Sequence, residues 1–302
     1  MNAGALSEDL NARYRREESA IAQKYMQRFP WEMVVWGLGN TLIWMSLWPL
    51  VFAGALPLWA GFLLSTLCCT LAYLPSHDAQ HQSIAKKGTR LHWLNELVGH
   101  FALLPLVLPY KIAWIEHREH HANANDPELD PDYCFHGKTI WASLWNATQS
   151  RQPWAQSEIV AKVLERSNAS NIKQAVIEAL VLRSGYYLIL AVLAWSGFAI
   201  EAFFLWWLPR HLGYTYITTC LGWAPHFPYE ETGRYRDTRA WKSPIGTVLS
   251  LGMEYHQVHH LFPRIPLFQT APAYWELRDL LERHGARDDR PDAPAHLKSA
   301  LQ

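Results

Sequence analysis

The stretch "VVWGLGNTLIWMSLWPLVFAGALPLWAGFLLSTLCCTLAYL", Val34 to Leu74, decides the fold, because it contains no Asp, Glu, Lys or Arg. A bilayer core about 30 Å thick takes roughly 20 apolar residues of helix, so Val34–Phe52 and Leu56–Leu74 are each long enough to cross it. The link between them, Ala53 to Ala55, permits only a tight hairpin. A second pair comes later, Val181–Phe198 and Ala202–Trp223, joined by "AIE". Pro209, Arg210 and His211 interrupt its second member, where a kink and a polar contact inside the bundle are expected. Between the pairs, Leu91–Tyr110 is apolar but broken by Glu96, His100 and two prolines, and reads as a re-entrant or interfacial helix.

These segments predict an all-α integral membrane protein with four transmembrane helices in two hairpins, plus the re-entrant or interfacial helix and a helical cap. The links at 53–55 and 199–201 hold no Lys or Arg, whereas the N-terminal arm, the central loop 111–175 and the region after Ala224 hold nearly all of them. By the positive-inside rule both termini and the cap are cytoplasmic, with a bacterial plasma membrane as the expected location. The domain reading is a polar arm over 1–30, a membrane core over 31–285 and a polar tail over 286–302. The tryptophans at 36, 44, 48, 195, 206, 207 and 223 fit interface belts and lipid-facing packing.

Composition agrees. Charged residues make up 18% of the 302-residue chain, below the roughly 25% of a soluble domain. Lys+Arg and Asp+Glu balance at 27 each, which gives no electrostatic footprint for nucleic acid. Cys68, Cys69, Cys134 and Cys220 form no CxxC, so neither a disulfide framework nor a cysteine metal site is expected.

Chemistry concentrates in the histidines. "HDAQH" places His77 and His81 directly after the second span, "HREHH" holds His117, His120 and His121, and "HQVHH" holds His256, His259 and His260. Positions i, i+3 and i+4 share one helix face, so each triplet can converge on a metal. The topology carries all eight, with His226, to one membrane face. Eight imidazoles are too many for one ion and suit two. A redox metal is favoured, because a hydrolytic zinc needs only about three protein ligands. The other readings are a surface histidine cluster and a non-catalytic membrane protein that stores or senses metal. Asp78, Glu116 and Glu254 adjoin box histidines, either as hydrogen-bond acceptors that fix ligand tautomers or as solvated acids. Asp126, Glu128, Asp130 and Asp132 read as a solvated, proline-punctuated turn. His100 reads as a buried, satisfied histidine, and His136, His284 and His296 have no partner pattern.

The order HDxxH, HxxHH, a later single His and HxxHH resembles the membrane fatty acid desaturase and hydroxylase superfamily over about residues 35–285. Within it, "HREHHANANDPELDPD" and "APHFPYEETGRYRDTRAW" look most like bacterial and cyanobacterial β-carotene hydroxylases. The resemblance implies a non-haem di-iron site, O2 as co-substrate and a lipid-soluble substrate taken from the bilayer. It matches His77, His81, His117, His120, His121, His256, His259 and His260 to the three boxes and His226 to an additional ligand. Acyl-CoA desaturases commonly carry Asn where this chain has Gly222. Hydroxylation of a carotenoid such as β-carotene is the expected activity, with fatty-acyl desaturation as the alternative. The chain has no dinucleotide fingerprint and no ferredoxin cysteine run, so a separate ferredoxin-type or similar electron donor is expected.

Overall fold

A computed structural model describes residues 3–294, 296 and 298, and the side chains of these except 3–9, 153–157 and 169. The amphiphilic arm forms α1 (Ala3–Met26), and the first charge-free stretch forms α2 (Trp31–Phe52). The second forms α3 (Leu58–Leu71), which breaks at Ala72 and continues as α4 (Tyr73–Gln80). Then α5 (His92–Ala102) ends in a 3-10 turn over Leu104–Leu106. Val107 takes a left-handed conformation, and α6 (Tyr110–Asn123) leaves at 99° to α5. Pro105 and Pro109 flank this reversal, as expected of a helix that does not continue across.

The central loop is largely helical. It contains α7 (Ile140–Ser150), capped by Thr139, and α8 (Pro153–Glu165). The third long helix, α9 (Ala169–Trp195), starts twelve residues before the expected Val181. The side chain of Asn168 accepts from Ser170 N at 2.9 Å and fixes that start. Hydropathy marks where a helix turns apolar, whereas the cap sets where it begins.

The fourth apolar stretch is a continuous helical path through α10 (Ala199–Ala202), α11 (Leu208–Tyr216) and α12 (Ala224–His226). Segments of π-helix over Phe203–Trp207 and Ile217–Trp223 join them. Pro209 sits in the first turn of α11, just after a π segment, where its missing N–H is tolerated. The expected polar contact is present, since Arg210 Nε donates to Leu106 O at 2.7 Å. The cap ends with α13 (Gly246–Leu249), α14 (His256–Leu261) and α15 (Leu267–Arg283). Among the described residues the sole β pairing is an isolated bridge between Ala240 and Asp288.

Among the described residues three helices are long and apolar enough to cross a membrane, Trp31–Phe52, Leu58–Gln80 and Ser170–Trp195, and a fourth is added if the bent pair His92–Leu106 and Tyr110–Asn123 is one broken span. The expected span Ala202–Trp223, divided by its π segments, is not among them. Small residues bring α3 against the fourth stretch, as is usual between helices in lipid. A Cβ on Gly213 would come within 2.8 Å of the Cys69 backbone, and Ser65 Oγ donates to Leu205 O at 2.6 Å. Trp44 and Trp206 do not face lipid. They are 5% and 8% exposed and pack edge to face at 5.1 Å, with Trp206 Nε1 donating to Pro105 O. Trp195, 94% exposed, does fit an outer belt.

The ends of the chain also depart from expectation. The arm is docked, with Glu18 and Ala22 of α1 buried and Lys24 Nζ 2.8 Å from Glu276 of α15. The tail expected over 286–302 is no free tail at its start, because Ala286, Arg287, Asp288, Asp289 and Arg290 are all buried. Of that span, residues 295, 297 and 299–302 lie outside the described residues.

Candidate metal centre

The breaks in the helices bring the boxes together. α4 presents His77 at its last turn and His81 at its end, α6 carries the first triplet, and α14 carries the second. α12 delivers His226. All nine histidines singled out in the sequence meet. Ligand nitrogens of His77, His81, His117, His121 and His259 lie within 4.8 Å of one another, as do those of His120, His226, His256 and His260. The nine thus divide into a group of five and a group of four. Neither HxxHH triplet stays within one group, and the rings of His121 and His260 touch across the boundary at 4.2 Å.

The donor set fits metal. Two ligand nitrogens about 2.1 Å from one ion and at right angles lie about 3.0 Å apart. The Nε2 atoms of His121 and His259 are 3.0 Å apart, those of His121 and His117 3.1 Å, and those of His120 and His226 3.2 Å. Burial and neighbouring imidazoles hold His256, His259 and His260 well below the usual imidazole range, so they keep the lone pairs a metal needs. His81 Nε2 and both ring nitrogens of His260 are buried without a hydrogen-bond partner. A cation between the rings would satisfy such atoms.

Two side chains fix tautomers in the four-histidine group. Asp130 Oδ1 accepts from His120 Nδ1 at 2.8 Å. Asn125 Nδ2 donates to the carbonyls of Glu231 and Asp237, which leaves its Oδ1 as the acceptor for His226 Nδ1 at 3.1 Å. Both histidines therefore aim an Nε2 lone pair at the same point, an arrangement that needs a proton or a metal ion between them. Asp130 Oδ2 also accepts from Asn125 N, which ties the two fixing residues together.

The sequence reading missed this pair. Asp130 reads from the sequence as part of a solvated turn, yet it is 6% exposed. Asp126 and Glu128 do form that turn, with Asp126 Oδ1 accepting from Glu128 N and Leu129 N, and the turn folds Asp130 back onto α6. Nothing in the spacing marked Asn125, whose left-handed backbone at φ 69° suits Asn. The acids beside the boxes behave differently from one another. Asp78 Oδ1 is 3.8 Å from His77 Nδ1, and its Oδ2 accepts from Leu267 N. Glu254 binds Ser243 N and Thr247 Oγ1 and so braces the loop before the third box. Glu116 lines a cavity beside the histidines.

That cavity, of about 150 Å3, is bordered by His77, His117, His120 and His256, members of both groups. Its wall is mostly apolar and includes Phe135, Ile217, Leu221 and Met253. A Cβ on Gly222 would meet the Phe135 ring at 2.9 Å, so no larger side chain fits there unless that ring moves. His100 is satisfied by Glu96 O and Glu178. His284 is buried between Tyr235 and Glu18, and His296 is exposed.

The loop that carries His226 is clamped from behind. Arg239 Nε donates to Ala224 O, Arg287 Nη2 to Phe227 O, and both guanidiniums hold Asp289 Oδ2 at 3.0 Å. Gln257, inside the third box, donates to Arg287 O at 2.8 Å. One buried cluster thus anchors the segment of the single histidine and that of the last triplet.

A helical membrane protein with nine convergent histidines beside an apolar cavity is the class that fold and site define. The fatty acid desaturase family model matches residues 52–291, and the chain belongs to that family. It is 24% identical over 270 residues to the sn-1 oleoyl-lipid 12-desaturase of Anabaena variabilis, covering 80% of this chain and 75% of that protein. It is 26% identical over 254 residues to the enzyme of the same description from Picosynechococcus, covering 74% and 69%. A 61-residue segment, 20% of this chain and 16% of its relative, is 36% identical to a Nostoc sn-1 acyl-lipid omega-3 desaturase (ferredoxin). These relatives favour the acyl-lipid alternative over the carotenoid hydroxylase expected from the box flanks.

Proposed function

We propose that the protein is a di-iron membrane desaturase that introduces a double bond into the acyl chain of a membrane lipid. The observation that carries this reading is the apolar cavity opening onto both histidine groups. A metal store or sensor has no use for an apolar space against its ligands. His77, His81, His117, His121 and His259 would hold one iron, and His120, His226, His256 and His260 the other. Bound there, the pair supplies O2-dependent removal of hydrogen from unactivated C–H bonds. The residues of the chain do the rest. Asp130 and Asn125 keep Nδ1 of His120 and His226 protonated, so that Nε2 stays free for the metal. The cavity wall holds the alkyl chain against the histidines and excludes water. Electrons come from a separate ferredoxin-type donor, in line with the ferredoxin in the name of the Nostoc relative.

Anaerobically purified protein is expected to contain two irons per chain, counted by metal analysis and Mössbauer spectroscopy. Stoichiometric zinc in a protein that still converts lipid would overturn the assignment. Expression in a host that accumulates β-carotene, with pigments and fatty acids both profiled, separates desaturation from ring hydroxylation. New double bonds with unchanged pigments are the expected result.

We infer from the charge distribution that the site faces the cytoplasm. Reporter fusions at residues 1, 54, 200 and 302 are expected to read inside, outside, outside and inside, because the links near 54 and 200 hold no Lys or Arg. An external C-terminus would contradict that placement.

A further inference from the structure

Arg151 follows the last residue of α7 and lines the cavity, where it is the one Lys or Arg among the wall residues. Its Nη2 is occupied, donating to Thr148 Oγ1 at 3.2 Å and to Thr215 Oγ1 of α11 at 3.0 Å. Its Nη1 is buried and has no hydrogen-bond partner. The carboxylates of the cavity lie elsewhere: Asp132 is 3.8 Å from His120 Nδ1, and Glu116 precedes His117 on α6. Among the described residues no carboxylate forms an ion pair with Arg151. A buried guanidinium N–H without an acceptor costs free energy that an incoming oxygen would recover.

The position of α7 says which molecule brings that oxygen. One face of the helix is buried at Ser143 and Ala147, while Trp141 and Trp145 stand 76% and 65% exposed. The helix lies beside the end of the last apolar stretch, and Trp223 Nε1 donates to Gly137 O just before α7. Exposed tryptophans at the end of a membrane helix mark the level of lipid head groups. Arg151 follows that helix directly, and the cavity it lines is also bordered by Phe135, Ile217, Met253 and the imidazoles.

We propose that Arg151 Nη1 binds an oxygen at the polar end of a membrane acyl-lipid, phosphate or ester carbonyl, while the acyl chain extends along the cavity to the histidines. Held at this point, the lipid presents a fixed length of chain to the metal pair, which makes Arg151 a determinant of both substrate class and bond position. The inference rests on the acyl-lipid reading above.

The test uses the iron-containing protein in aerated vesicles supplied with a reduced ferredoxin and its reductase, with a phospholipid, a galactolipid or free oleic acid as the acyl substrate. Wild type, Arg151→Gln and Arg151→Lys are compared for kcat, KM, iron content and quenching of tryptophan fluorescence by a brominated phospholipid. Arg151→Gln is expected to raise KM for phospholipid tenfold or more and to weaken quenching by a similar factor. Its kcat should stay within about twofold and both irons should be retained, as fits loss of one charge-assisted hydrogen bond. Arg151→Lys should recover part of the loss, since a single ammonium replaces a fork that serves Thr215 and the ligand together. An effect confined to phospholipid assigns the phosphate, and an equal effect on galactolipid assigns the ester oxygen. An effect on oleic acid alone, an unchanged KM for both lipids, or a joint fall in kcat and iron overturns the proposal. A wild-type protein that converts none of the three substrates overturns the desaturase reading and the subsite with it.

Discussion

Replacing His226 with alanine is expected to abolish turnover, by more than about 100-fold, and to lower the iron content from two per chain to one. The residue is fully buried, its Nδ1 is held by Asn125, and its Nε2 faces His120 Nε2 at 3.2 Å. Without it the four-histidine group keeps three ligands, while the five-histidine group is untouched. His120→Ala and His259→Ala should fall as far, because ligands of a coupled pair act as a unit and not as fractions. The exposed His296 is the proper control, and its alanine variant should match wild type. His284 is not a control, since its ring is stacked on Tyr235 at 4.6 Å and lies 3.4 Å from Glu18. Iron content and lipid product, measured together at matched expression, decide the matter. A His226→Ala protein with two irons and substantial turnover would reduce this residue to a structural cap.

Cutting the chain after Gly285 is the second change with a large expected effect. By composition the lost segment begins "ARDDRPD", a hydrophilic end that looks dispensable. In the structure it supplies Arg287, whose carbonyl holds Gln257 and whose guanidinium holds Phe227 O, and Asp289, shared with Arg239. The truncated protein is expected to lose most activity and to hold the four-histidine ion far more weakly than the other. Asp289→Ala removes the carboxylate that two buried guanidiniums share, which costs about 3–5 kcal/mol of cap stability. Asp289→Asn, which keeps an acceptor of the same shape, should lie between. Chelator challenge followed by metal analysis reads the two groups separately, and thermal unfolding reads the cap. Equal loss of both ions would mean general unfolding and not a local clamp.

Both expectations depend on features of different legibility. The nine histidines were readable because each triplet or pair is local, with spacing that matches one helix face, and because alternating apolar and polar blocks carry them to one side. The acids were not readable by the same logic. Asp78, Glu116 and Glu254 adjoin box histidines in sequence, yet a helix points neighbours 100° apart, so adjacency brings Asp78 only to 3.8 Å from His77 and sends Glu254 to Ser243 and Thr247. Asp130 reaches His120 from ten residues away because a turn reverses the chain between them. The tryptophans fail for a related reason, since hydropathy treats Trp44 and Trp195 alike while packing buries one and exposes the other.

By itself, then, the sequence determined the charge-free helices, the break at Pro105 and Pro109, and the nine histidines that converge, more donors than one ion uses. These follow from backbone satisfaction in lipid and from helical periodicity, both local rules. Only the tertiary structure decided the division of nine histidines into five and four. It alone brought Asn125 and Asp130 onto the ligand rings, aimed Arg151 into the cavity and buried the arginines near the C-terminus. Each of these is a contact between segments far apart in the chain or on opposite sides of a turn. Such contacts are set by which surfaces remain after the helices have packed, and no spacing rule along the chain encodes that remainder.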